Sequence, residues 1–503
     1  MSLFLKKPIS DLMADATESG KGLKRTLTAG SLIALGIGAI IGAGLFVRTA
    51  SAAAQYAGPS VTFGFIVAAI GCALAGLCYA ELSSSIPIAG SAYTYSYATM
   101  GELIAWVIGW DLILEYAVGA ATVGIAWSEY LNNLLTNVLH WKAIPYEWCH
   151  SPFEHSLDGT AHGMINLPAL GIVIILTLLL IRGTQESAVV NGIIVITKVA
   201  IVILIIIIGW GFINPVNHQN YIPAPTTYTD HQGITHNFGG IMGILGAAGV
   251  VFFAFIGFDA VSTTAQEAKN PKRDMPIGIL GSLVICTVLY ILFAHVLTGV
   301  ATTEDFRNSG KEASVAFAIN KYMTGYAWLG QLVTVAILAG FSSVILVMLL
   351  GQSRVFYAMS RDGLLPKVFS DIHPDYKTPY KASLFILILV GLFAAFVPGD
   401  IVGDMTSIGT LFAFMLVCVA VIVLRKTEPD LKREFKTPWV PVVPILGILV
   451  CGAMIFGLGW TNWLRLIVWL LIGFVIYFGY SKNHSVLRNK ALNGGKDVTD
   501  KTI

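Results

Sequence analysis

Lys198 stands in NGIIVITKVAIVILIIII, about nine residues into an apolar run that starts near Val189. A helix places that ammonium ~14 Å from the start of the run, near the middle of a ~30 Å hydrocarbon layer. Burial there costs about 2.5 to 3.5 kcal/mol on insertion scales, so the group needs a cluster of carbonyls or a reversible way to lose its proton. Asp111 and Glu115, four residues apart in GWDLILEY, share one face of an α-helix, and neither carboxyl can face lipid cheaply. The chemistry on offer is binding, ion pairing and proton exchange. The apolar runs hold no Ser/His/Asp order, and no Cys-x-x-Cys or Cys/His metal spacing occurs, so an enzyme is not expected and neither a cofactor nor a metal is called for.

The elements that position these groups are interrupted. GIGAIIGAGLF (Gly36 to Phe46) places four glycines in nine residues inside the first apolar run, between Ser31 and Thr49. Lipid offers freed amides and carbonyls no partner, so a broken spanning helix is tolerated only where it lines a cavity or meets protein. FFAFIGFDAVSTT (Phe252 to Thr264) interrupts the sixth run. Interruptions at matching places in two halves point to a carrier built from internal repeats. Read alone, Gly38 and Gly42 also fit a helix-packing GxxxG face; the matching break in the sixth run favours a binding site.

Hydrophobic residues make up 55% of the 503 positions and charged residues 12%, too few charges to coat a soluble globule of this length. Twelve runs are long enough to span: Ser31 to Thr49, Val61 to Ile86, Leu103 to Tyr130, Leu167 to Ile181, Val189 to Ile213, Gly240 to Val261, Ile277 to Ala301, Tyr326 to Leu350, Tyr380 to Val397, Met405 to Leu424, Val442 to Gly459 and Trp463 to Tyr480. With the N-terminus inside, the inner segments hold 23 Lys and Arg and the outer ones 6, which satisfies the positive-inside rule with both termini cytoplasmic. A net charge of +2 gives no reason to expect nucleic acid; topology and an anionic inner leaflet account for the basic loops. No signal peptide precedes the first run. Five of the six cysteines fall in apolar runs and Cys149 in an outer loop, which argues against a disulfide framework. The outer segments Trp141 to Asn166 and Asn214 to Phe238 read as lids or connectors, and Arg361 to Thr378 as holding a short amphipathic stretch at the interface.

Five ordered stretches carry a resemblance: GIGAIIGAGLF, YAELSSSIPIAGSAYTYSY (Tyr79 to Tyr97), GWDLILEY (Gly109 to Tyr116), FFAFIGFDAVSTTAQEAKNPKRDMPIGI (Phe252 to Ile279) and GQSRVFYAMSRDGLLP (Gly351 to Pro366). From about Gly22 to Ser481 the chain resembles the bacterial amino acid permeases related to cationic amino acid transporters, in the amino acid, polyamine and organocation superfamily. The resemblance implies an all-α polytopic membrane protein with the leucine-transporter fold. Spans one to five (28–213) and six to ten (240–424) would be inverted repeats, followed by two C-terminal helices (441–480), with cytoplasmic tails at 1–27 and 481–503. It implies secondary active uptake of an L-amino acid by alternating access across the plasma membrane, by a protein working as a monomer whose partners are the amino acid, a proton and the lipid bilayer.

An amino acid is a zwitterion, and two broken helices can serve both of its charges. Where the first span unwinds at Ile40 and Ile41, the amides of Gly42, Ala43 and Gly44 present a positive dipole end to the carboxylate. Where the sixth unwinds around Phe253, Ala254 and Ile256, free carbonyls accept from the ammonium, and Phe255 and Phe258 cover the side chain. Relatives often have Thr or Ser near the position of Ala43, so here the backbone amides act without that hydroxyl. By resemblance, Lys198 occupies the place of a sodium ion beside the first-span break, with Ser342 and Ser343 as the eighth-span hydroxyl pair; the alternative for these serines is bonding to their own helix. Lys198 is then either the proton-coupling group or a fixed sodium substitute in an exchanger or uniporter. Glu115 reads as a carboxyl bordering the pocket or as a protonated partner in a packing network. Asp259 reads as a brace for the inner half of span six, Tyr79 to Tyr97 as a re-entry near an inner gate or an ordinary loop, and Arg354 and Arg361 as topology and gate salt bridges. His295 reads as a hydrogen-bonded core histidine, and Lys269, Lys272 and Arg273 as orienting charges. Ala43, Val118 and Gly119 leave room without strong polarity, which favours neutral L-amino acids and leaves cationic or branched-chain ones open. A non-transporting amino acid sensor is the competing class.

Overall fold

A computed structural model describes residues 3–9, 11–12, 27–86, 91–156, 159–183, 188–230, 233–265, 268–308, 314–376 and 378–492, the side chains of 188–191, 263 and 314 excepted. Among these residues, eight helical stretches are long and apolar enough to cross a membrane, and four shorter apolar helices accompany them: Ala29–Ile40, Leu167–Ile181, Tyr380–Phe396 and Val442–Gly457. Large apolar side chains such as Ile207, Val284, Ile388 and Val475 are exposed, while Glu81, Glu102, Asp111, Glu115 and Lys198 are buried. That is the inverse of a soluble protein, whose charged groups stay at the surface.

The helices that matter for the site are α1 (Ala29–Ile40), α2 (Gly44–Arg48, continuing through Thr49–Ala52 and Ala53–Ala57), α3 (Val61–Ser85), α4 (Ser91–Thr99) and α5 (Glu102–Leu112, then Ile113–Val118 and Gly119–Asn133). They are followed by α6 (Leu167–Ile181), α7 (Ala188–Trp210), α8 (Gly240–Val251), α9 (Pro271–Val300), α10 (Ala327–Arg361), α11 (Tyr380–Phe396), α12 (Gly399–Thr427), α13 (Val442–Gly457), α14 (Trp460–Ile476) and α15 (Val486–Leu492). The α9 helix packs along α3 and α1, α8 along α3, α10 along α5 and α7, and α12 along α13. Both chain ends lie at one end of the bundle: the carbonyls of Leu3 and Leu5 accept from Leu103 and Glu102, and Arg488 on α15 bonds Glu102.

Several expected boundaries shift. The third, eighth and tenth apolar runs extend as helix to Val138, Arg361 and Thr427, because a helix that leaves hydrocarbon keeps its own backbone bonds. Within Tyr79 to Tyr97, Tyr79 to Ser85 ends α3 and Ser91 to Tyr97 lies in the buried α4, while Pro87 and Gly90 lie outside the described residues. Of the segment read as amphipathic after α10, only Lys367–Ser370 turns helically, and Phe369 packs on Phe356 and Phe385. The segment Asn214 to Phe238 contains a two-stranded antiparallel hairpin, Thr226–Thr229 with Thr235–Phe238, so the chain is not wholly helical.

Candidate functional site

Sequence dictates the first break. The last regular bond of α1 runs from Ile41 N to Ile37 O, and Ile41 turns extended at φ −72°, ψ 102°. Helical bonding resumes where Leu45 and Phe46 donate to Gly42 O, so the amides of Gly42, Ala43 and Gly44 form the open first turn of α2. A helix also ends with orphan carbonyls. Here Lys198 Nζ donates to Gly38 O at 2.9 Å, and the Tyr290 hydroxyl on α9 lies 2.9 Å from Ile40 O.

The second break mirrors the first. After Val251 the chain tightens into a 3₁₀ turn, Phe252–Phe255, Ile256 goes extended (ψ 136°), and a second 3₁₀ stretch follows at Asp259–Thr264. Gly257 has φ +112°, a conformation open to glycine, and packs on the Ala39 backbone. Gly44 lies against Ala254 so closely that a β-carbon there would sit 2.2 Å from the Ala254 α-carbon. The Tyr290 hydroxyl, 2.9 Å from Ala254 O as well as Ile40 O, bridges the two breaks. The structure thus brings together Ile40 to Gly44 and Phe253 to Ile256, as expected. It does not aim Phe255 and Phe258 at a common pocket: Phe255 packs on Phe65 and Tyr290, and Phe258 on Tyr79 and Phe414, because a bulky ring finds more partners among neighbouring helices than at the break.

Lys198 is 4% exposed, and its stem crosses α10 at Gly340, where any β-carbon would lie 2.7 Å from Cε. A cavity of about 10 Å³, lined by Ile41, Phe46, Lys198, Gly340 and Phe341, adjoins it; that volume suits one water. Beside it on α10 stand the two serines of the expected hydroxyl pair. Ser342 donates to Leu338 O of its own helix, Ser343 is buried one residue on, and it is Gly340 that α10 presents to the lysine.

The carboxyls are placed differently from a regular helical face. The α-helical period of α5 stops at Leu112 and a π turn runs through Ile113–Val118, so Asp111 faces α12 at Gly409 while Glu115 faces Asp259 and Asp111. The oxygens of Asp111 find no hydrogen-bond partner among the described residues, and Glu115 meets the carboxyl of Asp259. Asp259 is tied across to α5 and α4 by the hydroxyls of Tyr116 and Ser91, so it braces the lower half of the sixth run against its neighbours rather than only capping it. The room expected at Gly119 is filled by Met348 and Thr406, each 3.3 Å from where its β-carbon would stand.

The profile of the family described as Amino acid permease matches residues 27–490. The chain belongs to the amino acid permease family. The permease is therefore a multi-pass membrane transporter and not an enzyme. It is 46% identical over 487 residues to "Branched-chain amino acid permease BcaP" of Bacillus subtilis (strain 168), covering 97% of this chain and 99% of the relative. It is 41% identical, with the same coverage, to "Methylthioribose transporter" of the same strain. It is 35% identical to "Branched-chain amino acid permease BcaP" of Lactococcus lactis subsp. cremoris (strain MG1363), over 95% of this chain and 98% of that one.

Four features of the permease escape a reading of the sequence. Tyr290, one of four hydroxyls in an apolar run with Ser282, Thr287 and Thr298, gives no signal of its role. Arg48 on α2, 3% exposed, pairs with Asp400 and Asp404 on α12, though both acids lie more than 350 positions away. Glu81 on α3 is held by Arg425 at 2.7 and 2.9 Å and by the Thr437 amide. At the end that holds both termini, Asp362 binds Lys7 at 2.8 Å and Tyr93 at 2.7 Å. Arg361 meets no carboxylate among the described residues and lies 6.0 Å over Tyr357. Lys272 pairs with Glu434 on the surface, where such pairs contribute little.

Proposed function

We propose that the permease is a secondary active carrier of neutral L-amino acids, branched-chain ones foremost, working by alternating access. The observation that carries this is the junction of the two breaks. Open amides at Gly42 to Gly44 and carbonyls at Ile40 and Ala254 offer opposite partial charges within one small volume, which suits a carboxylate and an ammonium on one carbon. The two branched-chain permeases among the relatives favour a branched aliphatic side chain over a cationic one. In this reading the chain has twelve spans, with 28–213 and 240–424 as leucine-transporter-like inverted repeats and 441–480 as the added pair. Both termini are cytoplasmic, the cell membrane is the location, and one copy suffices.

Lys198 supplies the coupling. Its proton holds the last turn of α1 through Gly38, and loss of that proton frees the turn so that the half of α1 nearer the termini can swing and release substrate. A fixed charge at the same place would leave an exchanger or uniporter. The methylthioribose relative favours a second substrate reading, but a neutral sugar thioether carries neither of the charges that the two breaks match. Purified protein in liposomes, given labelled L-leucine against a panel of the twenty amino acids and methylthioribose, tests the proposal. Competition by leucine, isoleucine and valine is expected; competition by methylthioribose alone would replace the amino acid reading.

A further inference from the structure

At the end of the bundle away from the termini, which the proposed orientation puts outside the cell, the start of the segment after α7 is stapled down by two histidines. The His218 and His295 rings lie 4.6 Å apart, and Tyr221 stands 5.0 and 5.9 Å from them. Thr62 on α3 donates to Pro59 O and so accepts from the Tyr221 hydroxyl at 3.0 Å, which in turn accepts from His295 Nδ1 at 3.0 Å. Thr298 donates to Ala294 O and so accepts from His218 Nε2 at 3.3 Å. Each ring therefore spends the single N–H of its neutral form on the staple; the tautomers follow from this network. Asn214 N and the Asn217 side chain donate to Gly299 O beside them, and Trp210 on α7 and Phe63 on α3 flank the group.

We infer that His218, His295 and Tyr221 form a proton-binding latch on the far end, closed when both imidazoles are neutral and opened by acid. The charged rings keep their N–H donors, so what opens the latch is repulsion: protonating both rings puts two cations 4.6 Å apart, with no carboxylate or other charged side chain bonded to either ring among the described residues. Burial and the neighbouring ring push His218 below the ordinary histidine value. The sign follows: a depressed value in the latched form means the latch has its full stability above the free imidazole value of about 6.5, and loses it as pH falls below.

The release reaches the candidate site. The same segment runs into the hairpin, where Tyr56 at the end of α2 packs 4.8 Å from His236 and Gly239 donates to Tyr56 O. Arg307 lies over Tyr228 and Phe238, and Gly240 then begins α8. The stem thus restrains the far halves of both interrupted helices. Amide hydrogen exchange of the full-length protein in detergent, corrected for the intrinsic rate at pH 7.5 and 5.5, tests this without any transport assay. Exchange in 214–221 should rise about tenfold on acidification, keep only a small acid response in His218→Gln, and become pH-independent in the His218→Gln/His295→Gln pair. Equal protection at both pH values in the parent, or an undiminished acid response in the double variant, overturns the latch.

Discussion

Gly44 and Ala254 touch backbone to backbone: a β-carbon on Gly44 would stand 2.2 Å from the Ala254 α-carbon. The two interrupted helices therefore form a single junction. Gly44→Ala forces them apart, an overpacking that costs about 1–3 kcal/mol. The variant is expected to run as a monodisperse protein yet lose at least about tenfold in uptake, since 1.4 kcal/mol is a factor of ten. Uptake equal to the parent would show that the contact is dispensable.

Tyr290→Phe removes the hydroxyl shared by Ile40 O and Ala254 O. Leaving buried acceptors short of a donor costs about 1–3 kcal/mol. Thermal unfolding in detergent should drop by several degrees, and added substrate should stabilise the variant less than the parent. A change in unfolding temperature with unaltered substrate stabilisation would confine Tyr290 to packing.

Lys198→Met keeps much of the stem's bulk against Gly340 and deletes the donor to Gly38 O. Accumulation driven by an imposed pH gradient should disappear in liposomes, while exchange of labelled for unlabelled substrate persists. PH-driven accumulation at the parental level would remove the lysine from coupling, and a parent that exchanges but never accumulates would favour the exchanger reading.

How far these sites could be read from residues alone depends on whether the signal is local. Both breaks, Lys198 and the bounds Leu167–Ile181 were legible because glycines and a lone charge inside an apolar run violate a local rule. The approach of Asp259 to Glu115 was not legible, because the two lie on separate elements and a π turn at Ile113–Val118 changes the helical period with no composition cue. Ser342 makes the bond to its own helix that the sequence left open as an alternative, and Gly340, silent as a residue, is what makes space for the lysine. Arg48, Asp400 and Asp404 meet only once the helices are assembled, so neither their spacing nor their types announce the pairing.

That pairing gives a stability prediction. Arg48→Met takes the guanidinium from Asp400 and Asp404 in a partly buried place, and breaking a buried pair costs about 3–5 kcal/mol. The double variant Arg48→Met/Asp404→Asn should lose less than the sum of the two single changes, measured by chemical unfolding of the detergent-solubilised protein. Additive losses would mean that the ion pair is not coupled in the folded state.

The central claim is that one junction reads both charges of an amino acid, and inhibition of L-leucine uptake by leucine, leucinamide and 4-methylpentanoate tests it most directly in liposomes of pure protein. Leucine should compete, whereas leucinamide, lacking the carboxylate, and 4-methylpentanoate, lacking the ammonium, should each compete at least about a hundredfold more weakly, the loss of about 2.8 kcal/mol. If either truncated compound competed as well as leucine, the paired breaks would not be the site that selects the substrate.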